Sequence, residues 1–185
     1  MVEYVKSFNL ELPVAFNYHG TPASSWPIGQ RPVQHTSFND YGSGEAYPDF
    51  WGVLYPSLAT RFIRGANYPR DYEVITNRFN RAWDYTVKTV EQLKWEIFTI
   101  LSNGGRAVVV DQPFHDGQID DVVYERLNKV YGEVETKQDI FGGEPIKQVA
   151  LYYSAKTRDW YAREHPSKYV LAFNGAYKSP LRLRS

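Results

Sequence analysis

Residues 89–110, TVEQLKWEIFTILSNGGRAVVV, constrain the fold more than any other stretch of the 185-residue chain. Thr89 is placed to cap a helix, and Gln92, three residues on, can reach back to the cap's own N–H, as in a capping box. Val90, Leu93, Ile97 and Leu101 then recur on one face at helical spacing, and Asn103-Gly104-Gly105 stops the helix with residues that accept a positive φ. The run AVVV that follows is short, β-branched and unalternated, the pattern of a parallel-sheet strand covered on both faces. Residues 73–76 read as a strand upstream. The whole is a βαβ unit whose polar residues gather just past the strand ends, where α/β barrels and open α/β sheets carry their chemistry.

Elsewhere the pattern is more broken. Residues 2–8 read as the end of a helix, and residues 12–16 as a short apolar strand running into Asn17-Tyr18-His19-Gly20. Between 21 and 48, Pro22, Pro27, Gly29, Pro32 and the run GSG at 42–44 exclude a long regular element, yet Trp26, Ile28, Val33, Phe38 and Tyr41 favour burial over disorder. Residues 48–63 turn helical in their second half, with Pro56 near the start. Asp120 can cap a further helix, in which Val123, Leu127, Val130 and Val134 share a face. Gly142-Gly143 and Pro145 mark a boundary, followed by an expected strand, QVALYY at 148–153. A helix after Ser154 and an amphipathic piece at 169–177, broken by Pro180, complete the chain. Three or four strands are too few to close an eight-stranded ring, which takes about 250 residues.

Composition excludes some functions. Lys plus Arg number 21 and Asp plus Glu 21, so no net field draws the chain to nucleic acid or an anionic membrane. No segment approaches the ~20 apolar residues of a membrane span, and the start lacks the apolar run of a signal peptide. Without cysteine there is neither a disulfide nor a thiolate site, which fits a reducing, cytoplasmic setting. The four histidines show no metal-ligand spacing, so neither metal nor cofactor is expected. Aromatic residues make up 16% of the chain; they serve either a core or a site that stacks flat faces such as sugar rings.

The carboxylates near strand ends or in the aromatic loop are Asp40, Glu45, Glu73, Asp84, Asp111 and Asp116. Glycoside hydrolysis uses two carboxylates flanking one sugar bond. Glu45, in DYGSGEAYPDFW, lies between glycines and aromatics, a setting that suits a proton donor and equally a solvated loop residue. Glu73 reads as a site residue or as a strand-end partner of Arg70 or Arg78. Asp116-Gly117 reads first as a tight turn. His115 beside it can hydrogen-bond a hydroxyl-rich ligand or simply occupy the turn, and Trp83 and Trp26 can stack on a sugar or fill a core.

In order along the chain, YEVITNRFNRAWDY, the NGG turn, RAVVV and PFHDGQIDDVVYERLNKV resemble the C-terminal half of the barrel in α-L-fucosidase-type glycoside hydrolases of family 29. PVAFNYHG looks like a preceding family strand ending in Asn, and NDYGSGEAYP like the loop after it. The resemblance spans roughly residues 10–177. It implies an α/β fold with a partial (β/α)8 barrel over residues 1–143. The stretch EPIKQVALYYSAKTRDWY resembles the opening of a flavodoxin-like, β-galactosidase-trimerisation-like domain, here truncated at 144–185. By the same resemblance Glu45 is the acid/base, and Asn17, His19, Glu73, Arg78, Trp83, His115 and Asp116 line a carbohydrate site. The family's nucleophilic Asp lies on an earlier strand, which would precede Met1, so the chain is expected to be a central piece of a longer enzyme, inactive alone. The rival expectation is a non-catalytic carbohydrate-binding or assembly module, its strand edges covered by an oligomeric partner or a companion chain completing the barrel.

Overall fold

A computed structural model describes residues 2–18, 29–80 and 85–182. Four strands form one parallel sheet in chain order: β1 (Asn17–Tyr18), β2 (Gly42–Glu45), β3 (Tyr72–Asn77) and β4 (Arg106–Val110). Ser43 lies opposite Asn17 and Glu73, and Asn77 opposite Val110, so the strands run in step and their carboxyl ends share one rim. Before the sheet comes α1 (Val2–Phe8), and α2 (Pro32–His35) and α3 (Pro48–Trp51) flank β2. The long helices are α4 (Tyr55–Asn67), α5 (Val90–Ser102), α6 (Asp121–Thr136) and α8 (Pro166–Arg182), with the short α7 (Ala155–Tyr161) before the last. None of the described helices is long and apolar enough to cross a membrane.

The βαβ unit forms as its residues dictate. Thr89 caps α5 by accepting from the Gln92 N–H at 3.1 Å, while the Gln92 side chain, expected to return to the cap, donates instead to Glu96 Oε1 at 3.1 Å. Gly104 ends the unit's helix at φ +81°, in the left-handed region. Leu93 and Ile97 are fully buried against Val130 of α6, with Val109 of β4 beside them. On the same side of the sheet Leu58, Ala59 and Ile63 of α4 meet Val74, Ile100 and Phe173 of α8. Each such Leu or Ile contributes about 1.5–3 kcal/mol by leaving water.

Four expectations shift, the first at residues 12–16, which are not a strand: β1 forms at the two residues after them. The run at 42–45 is a strand despite its glycines, paired on both sides, and Gly42 leaves room for Asn67 of α4: a Cβ there would lie 2.4 Å from Asn67 Nδ2. β4 is covered by helices on one face only, since alternate residues Arg106 and Val110 stay exposed. QVALYY carries no regular structure and pairs with no strand among the described residues; Val149 is 67% and Tyr152 85% exposed. Residues 144–182 are anchored through Tyr153 and Phe173, whose rings meet Phe62 of α4 edge-on.

Candidate functional site

In a parallel pair, residues opposite one another face the same way and successive residues alternate. Val74 and Thr76 face the helices, Val74 within the α4 core and Thr76 as donor to Glu96 of α5. Glu73, Ile75 and Asn77 therefore point to the other face, together with Asn17, Ser43, Glu45, Val108 and Val110. That face is only partly covered: Ile75 and Val108 are half-buried and Val110 is exposed.

Glu45 ends β2 on this face. Asn17, from the neighbouring strand, donates from Nδ2 to Glu45 Oε1 at 2.9 Å, orienting the carboxylate through that oxygen, and Gln30 donates to the Asn17 carbonyl at 3.0 Å. The charge of Glu45 reaches Tyr55 of α4. Burial first and that charge second raise the Tyr55 phenol well above its ordinary 10.0, so it stays neutral. An oriented carboxylate at a strand's carboxyl end, flanked by an amide, can accept from a hydroxyl-bearing ligand or exchange a proton with one.

The other expected residues distribute as follows. Glu73 is half-buried on the same face as Glu45, two residues nearer the amino end of the sheet. Arg78 is fully buried past the end of β3. It donates to Asp111 Oδ1 at 2.6 Å, to the Thr86 carbonyl at 3.0 Å and to the Gln112 carbonyl at 3.2 Å, bracing the loops after β3 and β4. His115 and Asp116 are exposed in the turn after β4, where Asp116 Oδ1 accepts from the Gln118 N–H at 3.0 Å. His19 and Trp83 lie outside the described residues. Of the expected set, Asn17 and Glu45 are in direct contact.

A charged cluster at the same rim was not anticipated. Lys88 and Glu96 are both fully buried and 2.8 Å apart; Lys88 also donates to Asn77 Oδ1 at 2.9 Å, and Thr76 and Gln92 donate to Glu96. A signal existed, since Glu96 falls at helical spacing among Leu93, Ile97 and Ile100, where a solvated carboxylate does not belong.

Two cavities lie away from the rim. One of about 480 Å³ opens between Phe62 of α4, Tyr153, and Phe173 and Tyr177 of α8; another of about 570 Å³ is lined by Arg31, Lys156, Trp160 and Arg163. Neither includes a residue expected at a sugar site. The rim outranks them on chemistry, because it carries the carboxylate that Asn17 orients.

No protein-family model matches the sequence, and no curated protein matches it significantly. Among solved structures, the chain is similar to alpha-L-fucosidase isoenzyme 2 from Paenibacillus thiaminolyticus, at TM-score 0.59 and 26% sequence identity, over 75% of this chain and 20% of that one. The chain spans about one fifth of that enzyme's length. Its α/β fold is therefore like that of a segment of a glycoside hydrolase.

Proposed function

We propose that the chain supplies part of the carbohydrate-binding rim of a glycosidase-type (β/α)8 barrel, with α-L-fucosides or sugars of like shape as ligands. One observation carries this reading: the Asn17–Glu45 hydrogen bond links β1 to the carboxyl end of the adjacent parallel strand β2 within a fold similar to an α-L-fucosidase. In that role Glu45 gives its proton to the glycosidic oxygen as the bond from that oxygen to the anomeric carbon breaks; a second carboxylate either attacks that carbon, after which Glu45 deprotonates the water that hydrolyses the glycosyl intermediate, or itself deprotonates a water that attacks the carbon directly. Retaining or inverting, the reaction uses a second carboxylate. Among the described candidates Asp40 is engaged by Lys6, Asp111 by Arg78 and Asp116 by its own turn, and Glu73 lies two residues nearer the amino end of the sheet, below the rim, so the chain alone binds a sugar and turns it over slowly or not at all. Residues 144–185 are, in this reading, the opening of a flavodoxin-like domain.

The test is direct. Purified protein should show saturable binding of methyl α-L-fucoside and little release of phenol from an aryl α-L-fucoside. Robust hydrolysis would overturn the single-carboxylate part, and absence of binding the whole reading. A second reading, a non-catalytic binding or assembly module, is favoured by Ile75, Val108 and Val110, which leave apolar area on the partly covered face. A mass in solution above the 21.4 kDa of one chain, with sugar binding that survives Glu45→Gln, supports it.

A further inference from the structure

Asn77 closes β3 on the face that carries Glu45, two residues beyond Ile75, the partner of Glu45 across the sheet. Strand spacings of about 4.8 Å across and ~6.6 Å along the chain put the two Cα atoms about 8 Å apart. The residue is only 3% exposed, and its Oδ1 accepts from Lys88 Nζ at 2.9 Å. An ammonium only donates, so this contact settles which end of the amide is oxygen. Lys88 is itself held by buried Glu96, so the amide is locked from behind. Its Nδ2 donates to no described residue. Asn77 Nδ2 is not among the buried side-chain atoms that lack a hydrogen-bond partner in the described residues, so what Asn77 leaves to solvent includes its N–H groups.

We propose that Asn77 is a sugar-contacting residue, whose oriented N–H groups donate to a hydroxyl or ring oxygen of the saccharide that Glu45 engages. This rests on the carbohydrate reading above and extends it. A carboxylate accepts from a hydroxyl and a locked amide donates to an oxygen. A pyranose offers both on neighbouring carbons, and one ring bridges residues at this separation. The buried Lys88–Glu96 pair, costly to desolvate, gains a purpose in keeping Asn77 from flipping.

Asn77→Asp tests this. The aspartate keeps an oxygen for Lys88 Nζ and nearly the same volume but loses both donors, so a merely structural Asn77 would leave binding unchanged. The expected result is a melting temperature no lower than that of the unsubstituted protein and an affinity for methyl α-L-fucoside weaker by about tenfold or more. Asn77→Ala, which brings no charge to the rim, should show the same loss. If the unsubstituted protein binds the fucoside and both variants bind it equally well, the assignment of Asn77 is overturned while the carbohydrate reading stands. If the unsubstituted protein shows no saturable binding, both fall together.

Discussion

Lys88 and Glu96 sit fully buried at 2.8 Å, and a charge left there without its partner has no water to turn to. Lys88→Met alone should cost about 3–5 kcal/mol, because it strands the Glu96 carboxylate. Lys88→Met combined with Glu96→Leu should recover most of that loss. Urea unfolding of both variants checks this, and a single-variant cost under about 1 kcal/mol, the worth of an exposed pair, would contradict the burial. Tyr55 gives a prediction in pH. Its folded pKa is raised, so the unfolded phenol ionises first, near 10.0; the stabilisation is complete below that pH and lost as pH rises toward the folded value. Tyr72, Tyr131 and Tyr153, raised by burial, act in the same direction. Tyr55→Phe should therefore flatten the loss of stability above pH 10, as read from melting temperatures, and an unchanged slope would mean that Tyr55 is hydrated. Asp40 has the opposite sign: the Lys6 ammonium and the Val14 N–H hold its carboxyl low, so its contribution is lost only as pH falls through that lowered value.

Among the elements, helix starts were legible because a cap is a local event. Thr89, Asp120 and Ser154 each accept from a backbone N–H two or three residues on, as their sequence positions imply. Strands were less so, since a strand depends on what lies beside it. QVALYY has the residues of a strand and pairs with none among the described residues. GSGE has the residues of a loop, yet it pairs with β1 and β3, and its glycine at 42 leaves the room that Asn67 of α4 takes. Gly42→Ala should accordingly lower stability by about 1–3 kcal/mol, an overpacking cost. Asn67 is 1% exposed and donates to the Ile63 carbonyl, so it has little room to yield. Chemical denaturation decides it, and a neutral Gly42→Ala would show that β2 and α4 lie further apart than described.

For the molecule as a whole, the α/β class and the parallel βαβ unit were readable from one stretch of sequence. Part of the candidate site was readable too: Asn17 stood out as a polar residue after an apolar run and Glu45 as a carboxylate between glycines and aromatics, and the two meet in the fold. Asn77 and its buried support were not, because a lysine–glutamate pair looks like surface charge until the helix carrying Glu96 docks on β3. The partly covered face also bears on association. If the assembly reading holds, Val108→Glu should shift sedimentation toward the single-chain mass, and a chain already monomeric at high concentration would remove that reading. The central claim, that the strand-end rim around Glu45 receives a sugar, is tested most directly by titrating ¹⁵N-labelled protein with methyl α-L-fucoside. The account predicts saturable shifts centred on Asn17, Glu45 and Asn77; shifts confined to the α4–α8 cavity, or none at all, would contradict it.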